Sequence, residues 1–435
     1  MAIDRHGDNG RVIGRPYEPD RDREAVIRQW REAGWIDYSD AHATALADVF
    51  AVGDAVVAEA RVTDGSAGTA TGSAECALHR SSGSLRYGVG DRATDLPLSL
   101  ITAVTTSHVA RRQGLAASLI ASALGDAAAH GAAVATLGIF DQGYYERFGF
   151  GTGADEHVVS FDPATLDVPV PDRAPVRIGA GNHREVYDLL LRRLRGHGSV
   201  VLDLPELIAA DLALLDRPIG LGFRAEDGRL THCLIGTAEA HHGPLNVEWL
   251  IHEEPHQLEE LLGLLKSLGD QYRSVTIAHE PPGVQLQALL AEPLRQLSLA
   301  NLGAAARPLH TSWSKVQWRI LDLAACIEAC TMPGVDLTFG LRLHDPLADR
   351  SSAPWTGLGG DYTVHLGERS GVDAGPPSGS TPVLEASVGA FTRLWLGVRP
   401  ATGLTITDAL AGPPELVAGL DAAFGLPPPL PDWPF

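Results

Sequence analysis

The sequence is poor in lysine: Lys266 and Lys315 are the only two, so nearly all of its 34 basic residues are arginines. Those bases are outnumbered by 54 acidic residues, for a formal charge of −20. A binder of phosphate backbones needs the opposite sign, so nucleic acid is not an expected partner. Cysteine is scarce too. Cys76, Cys233, Cys326 and Cys330, in 435 residues, make no disulfide framework. Cys326 and Cys330 lie four apart in a helical-looking stretch, which suits neighbouring core positions better than a metal site. No apolar run of about 18 residues exists to span a bilayer, and the start, Met1-Ala-Ile-Asp-Arg-His-Gly-Asp8, has no apolar secretory character. The expectation is a cytoplasmic protein with no membrane partner. What remains is ordinary globular composition, 45% hydrophobic and 20% charged, and a length that suggests two or three domains. The excess of acid fits a cationic small molecule, although it also serves solubility.

Periodicity divides the chain into three. Segment 1–162 opens with a helix over 21–34 and a strand over 55–63, followed by a Gly/Ser/Thr/Ala hairpin loop over 64–73. A buried strand over 98–105, a helix over 114–130 and a strand over 133–139 come next. They leave no room for a hairpin turn, which implies a crossover unit in a partly parallel sheet. Pro163, Pro169, Pro171 and Pro175 mark a linker over 163–175. Segment 163–307 repeats the same grammar more faintly, with a helix over 182–194, a strand over 247–251, a helix over 255–269 and a strand over 275–279. A degenerate copy of the first segment would read this way. Segment 308–435 has a strand over 316–321, one helical stretch, a Gly/Ser/Pro-rich insertion over 351–382 with a strand-like 362–366 inside it, and a proline-rich tail. The fold class expected is α/β in the first two segments and α+β in the third.

The most informative stretch is Val104-Thr-Thr-Ser-His-Val-Ala-Arg-Arg-Gln-Gly-Leu-Ala116. A strand ends and a helix begins across a turn carrying Arg111, Arg112 and Gly114. Unpaired N–H groups at a helix start favour an anion, glycine permits close approach, and the arginines add charge-assisted donors. Neither a Walker loop nor a dinucleotide fingerprint is present. Beyond the next strand lies Gly143-Tyr-Tyr-Glu-Arg-Phe-Gly-Phe150. His252-Glu-Glu-Pro-His256 matches a zinc-protease pattern in letters only, because Pro255 belongs at a helix start and separates the two histidines. No metal is expected.

The Arg-x-x-Gly-x-Ala turn (111–116), a strand, and Tyr-Glu-Arg-x-Gly-Phe (145–150) resemble the pyrophosphate loop and later tyrosine motif of the GNAT superfamily of N-acetyltransferases. Across the whole length, with Leu394-Trp-Leu-Gly397 and Leu420-Asp-Ala-Ala-Phe424 near the end, the chain looks like the enhanced-intracellular-survival (Eis) type. That resemblance implies tandem GNAT-like domains, catalytic over 1–162 and degenerate over 163–307, and a sterol-carrier-like α+β domain over 308–435. It implies acetyl-CoA as acyl donor, held by Val104, Thr106, Arg111, Arg112, Gly114 and Leu115, partly through backbone. Tyr145 is then the acid for the leaving thiolate, and the Phe435 terminal carboxylate accepts the proton of the amine. Asp37, in Trp35-Ile-Asp-Tyr38, is the implied substrate contact, since a carboxylate flanked by rings suits a cation. The implied acceptor is polyamine-like, such as an aminoglycoside antibiotic acetylated by direct transfer in a ternary complex, and the implied assembly is a homohexamer of two trimers. A secondary-metabolite amine, a protein lysine, or a non-catalytic carrier role are the alternatives. The tail 427–435, with five prolines, is stiff enough to reach between domains.

Overall fold

The computed structural model describes residues 14–59, 73–239, 243–291, 309–348, 350 and 355–433. The hairpin loop expected over 64–73 lies, except for Ser73, outside the described residues. The alanine-rich helix Leu115–Ala129 forms at little side-chain entropy cost. Its Leu115, Leu119, Ile120, Ala123, Leu124 and Ala127, spaced by three and four, are buried on the strands Ala74–Tyr87 and Thr94–Thr106. Each fully buried Leu or Ile there contributes about 1.5–3 kcal/mol.

Those two strands are antiparallel, and the helix returns the chain to Val134–Gly138, which runs parallel to Thr94–Thr106. This is the crossover the sequence predicts. Parallel pairing extends only from Leu98↔Val134 to Leu100↔Thr136. Beyond it the two strands part. A second sheet of seven strands repeats the wiring. Leu230–Ala238 lies antiparallel to Leu245–His252, the helix Pro255–Ser267 crosses over, and Val275–Ile277 runs parallel to Leu245–His252. A third sheet of five strands is centred on Leu337–His344. The molecule is thus a mixed α/β structure with tandem GNAT-like units.

The sheets trade strands across the divisions read from the sequence. Glu156–Phe161, placed in the first segment, pairs in the second sheet with Val275–Ile277 and Leu309–Trp313. Val316–Ile320, placed in the third, pairs in the first sheet with Val134–Gly138. All five residues of that strand are buried, Gln317 and Arg319 included. Burial on both faces leaves no alternation to reveal a partner.

One further expectation is corrected and another is extended. The stretch 163–175 is no free linker: Leu166 and Val168 are buried, the Val168 carbonyl accepts from Lys266 Nζ at 2.9 Å, and a Cβ on Gly263 would meet the Pro169 carbonyl at 2.1 Å. An extended proline-rich chain, short of N–H donors, can lie flat on a helix. In the insertion 351–382 the strand expected over 362–366 forms as Gly360–Leu366, and a second one that was not expected, Gly371–Ala374, completes that side of the third sheet. Among the described residues no helix is long and apolar enough to cross a membrane.

Candidate active site

Where Thr94–Thr106 and Val134–Gly138 part, a cavity of about 720 Å³ opens. Val104, Thr106, Arg111, Arg112, Gly114, Leu115 and Tyr145 all line it, so the structure brings together the residues that two separate motifs singled out. The turn is sharp: Arg112 has φ 65° and Gly114 φ 79°. Glycine accepts this without steric cost, whereas for arginine it costs roughly 1–2 kcal/mol. Gly114 is the N-cap of Leu115–Ala129, no side chain caps that helix, and its first turn holds no acidic residue. The amides of Leu115, Ala116 and Ala117 are left for a ligand at the positive end of the macrodipole.

Arg111 and Arg112 are exposed and have neither hydrogen-bond nor ion-pair partner among the described residues. Two arginines that were not among the expected cofactor contacts join them. Arg147 lies 4.6 Å over the Tyr144 ring and Arg350 4.3 Å over the Phe148 ring, and both line the cavity. Four guanidinium groups therefore gather around one cavity in a strongly acidic chain, which focuses positive potential there. Glu32, also in the lining, is occupied: it accepts from the His108 amide at 2.8 Å and faces Arg28 at 3.6 Å, fixing the turn.

Tyr145 opens the short turn Tyr145–Phe148, closed by Gly149 at φ 79°. Its ring is buried against Tyr144 (5.1 Å between centroids) and Phe150 (6.3 Å). Burial pushes its phenol up to about 12, so it is protonated at neutral pH. The turn is pinned from behind by Arg319 of the strand Val316–Ile320. Arg319 Nη1 donates to the Phe148 carbonyl and Nη2 to Asp345 Oδ2 at 2.5 Å, and both side chains are fully buried. A Cβ at Gly149 would stand 1.7 Å from Arg319 Nη1, so only glycine lets the guanidinium lie this close. Just before Val104 of the lining, Ala103 takes φ 56°, and the ladder between Ala77–His79 and Thr102–Thr105 slips at that point. This β-bulge re-aims the backbone groups of the residues that follow it into the lining.

Asp37 is placed otherwise. Its carboxylate accepts from the Ser39 amide at 2.7 Å and lies 2.9 Å from a His42 ring nitrogen, which organises the start of the helix Asp40–Ala51. The hydrogen bonds from Ser39 hold its pKa below the ordinary carboxylate value. It is not among the residues lining the cavity, although the neighbouring Trp35 is, packed on Phe140 at 5.6 Å. Phe435 and Pro434 lie outside the described residues. Up to Trp433 the tail is docked: the Leu430 amide donates to the His197 carbonyl at 3.2 Å, the Pro431 carbonyl accepts from the Val200 amide at 2.7 Å, and Asp432 pairs with Arg193 at 2.8 Å.

His252 ends a strand and His256 lies in the helix that Pro255 begins, so the two histidines share no helical face. The four cysteines are free and buried.

Residues 84–153 match the family model described as an acetyltransferase (GNAT) domain. That window holds the parting strands, the arginine turn and Tyr145. A curated relative, an uncharacterized N-acetyltransferase of Streptomyces avermitilis, is 28% identical over 335 residues, 71% of this chain and 73% of its own. Eis1 from Mycobacterium abscessus superposes with a TM-score of 0.73 at 16% identity, covering 98% of this chain and 100% of that one. A GCN5-related N-acetyltransferase from Anabaena variabilis gives 0.73 at 15%, covering 96% and 98%. At such identities the two structures speak to the fold, which is common to nearly the entire chain. Since the family match falls on the cavity itself, the chain carries a GNAT acetyltransferase domain and is an acyltransferase of that type.

Proposed function

We propose that the chain transfers an acetyl group from acetyl-CoA to an amine of a cationic, polyamine-like small molecule, such as an aminoglycoside, by direct transfer in a ternary complex. GNAT domains use acetyl-CoA as acyl donor. The observation that carries the reading is the single cavity shared by an uncapped helix start, four arginines and a buried, protonated phenol. The arginine turn receives the diphosphate of CoA, and the edge of Val104 to Thr106 receives its pantetheine arm.

The neutral amine attacks the thioester carbonyl, the C–S bond breaks, and the thiolate takes the phenol proton of Tyr145. A phenol at about 12 is a weak acid toward an ordinary thiolate. However, the burial that raises the phenol also raises a thiol beside it, so the two stay matched. The proton of the new amide nitrogen passes to the terminal carboxylate of Phe435. The −20 charge favours approach of a cationic acceptor. The assembly, by resemblance, is a hexamer of two trimers, which sedimentation of the full chain tests.

The test is thiol release from acetyl-CoA with a panel of aminoglycosides, comparing the intact chain with Tyr145→Phe and with the chain lacking Phe435. The expected result is turnover by the intact chain, with kcat reduced at least a hundredfold in both variants. Acetyl-CoA binding without release for any amine would overturn the reading.

A further inference from the structure

The second sheet opens a cleft at the same point of its wiring as the first. Strand Leu245–His252 pairs with Val275–Ile277 only as far as Val247↔Ile277. Residues 248–252, which continue the first strand, and 279–282, which follow the end of the second, line a cavity of about 310 Å³. The turn that starts the crossover helix has the reverse charge. Where Gln113 and the N-cap Gly114 precede the first helix, with Arg111 and Arg112 before them, Glu253 and the N-cap Glu254 precede this one, and Pro255 opens it. Gln257 closes a capping box there, accepting from the Glu253 and Glu254 amides at 2.8 and 3.0 Å. The polar groups an anion would use are taken, and the helix start is acidic.

The cavity keeps more negative than positive charge. Its two arginines are occupied, Arg193 by Asp432 and Arg195 by Asp95, each at 2.8 Å. Lys315 is nearby, but its ammonium donates to the Ala278 carbonyl at 2.8 Å and lies 3.4 Å from His279 Nε2. Glu156, Glu248 and Glu280 remain in the lining. Four buried polar atoms of the lining have no partner among the described residues: Glu156 Oε1, the Trp433 indole N–H, Arg195 Nε and His252 Nδ1. Glu156, only 4% exposed, accepts from His279 Nδ1 at 2.6 Å through Oε2 and leaves Oε1 bare. Trp433, 5% exposed, leaves its indole N–H bare. Buried groups of this kind are costly unless something answers them. Glu156 Oε1 is a charged acceptor, and the Trp433 indole and Arg195 Nε are donors; with His252 Nδ1, and in a partly apolar wall that includes Trp249 and Pro281, they ask for a ligand that carries both a cationic donor and an acceptor oxygen.

We propose that this second cleft binds a small cationic amino alcohol, whose ammonium donates to Glu156 Oε1 and whose oxygen accepts from the Trp433 indole. The cavity shares no lining residue with the first cleft, so the inference stands whether or not the acceptor proposed above is right.

The test is calorimetric titration of the full chain, without acetyl-CoA, with three molecules of one shape: trans-4-aminocyclohexanol, cyclohexylamine and cyclohexanol. The amino alcohol is expected to bind at least threefold more tightly than the amine and at least tenfold more tightly than the alcohol. Glu156→Gln, with its fold checked by circular dichroism, weakens both amines at least tenfold. Trp433→Phe removes the advantage of the amino alcohol over the amine. Glu248→Gln, a milder change at a half-buried position, weakens both amines severalfold and serves if Glu156→Gln does not fold. The proposal is overturned if no ligand gives heat, if cyclohexanol binds as well as the amines, or if amine affinity survives the loss of the carboxylate.

Discussion

The buried pair Arg319–Asp345 couples the third region of the chain to the turn that carries Tyr145, and its removal separates stability from catalysis. Asp345 does more than face the guanidinium: its carboxylate accepts from the Leu347 amide at 3.0 Å and the Leu358 amide at 2.8 Å. Asp345→Asn keeps an acceptor for one of these but leaves a guanidinium without counter-charge where both side chains have no exposure. Breaking one partner of such a pair costs about 3–5 kcal/mol, a large share of the ~5–15 kcal/mol that holds a domain together. Combining it with Arg319→Met removes both charges and recovers most of that loss. The Phe148 carbonyl, however, stays without its donor, and the turn that aims the phenol loses its anchor. Equilibrium urea unfolding is therefore expected to show a large defect in Asp345→Asn and a small one in the double variant. Steady-state thiol release shows kcat at least tenfold down in both, because small misplacements of a reacting group are expensive. An Asp345→Asn protein within about 1 kcal/mol of the parent, or a double variant with unchanged kcat, would refute the reasoning.

Arg111→Ala and Arg112→Ala should each raise the KM for acetyl-CoA about tenfold, the value of one charge-assisted hydrogen bond, with kcat nearly unchanged; an unaltered KM in both would remove the diphosphate from that turn. His232, with 1% side-chain exposure, has its pKa lowered to about 4 by burial, against the pull of Glu260 at 3.0 Å. The unfolded chain takes up that proton near 6.5 and the folded one near 4. The stability held by the neutral ring is thus present above 6.5 and lost as pH falls toward 4, by about 3 kcal/mol. Urea midpoints measured from pH 7 to pH 4 should fall less steeply in His232→Gln, and equal slopes would contradict this.

That the two motifs meet at one cleft was legible because its parts are local. An arginine-glycine turn between a strand and a helix, and a tyrosine one strand later, are read from short windows, and the chain brings them together through one crossover. Arg350 and the Arg319–Asp345 pair were not legible, since they reach the cleft from positions far along the sequence and no periodicity marks them. Ala103 gave no sign of its bulge, because alanine ordinarily avoids positive φ. At Asp37 two local signals overlap: the flanking rings suggest a cation site, and Ser39 two residues later caps a helix whose start the carboxylate helps organise. The linker over 163–175 was read from its prolines alone, and what proline composition does not disclose is the helix Pro255–Ser267 on which that stretch lies.

The exchanged strand Val316–Ile320 has a consequence for biosynthesis. The first sheet cannot be closed, nor the Tyr145 turn anchored, until the ribosome has made the middle of the molecule and the beginning of its last third. A nascent or prematurely terminated polypeptide therefore holds the arginine turn without a rigid Tyr145 beside it. Contacts of such long sequence separation also make assembly slow, and they mean that the first segment is not a module that gene fusion or limited proteolysis can cut free with its fold intact.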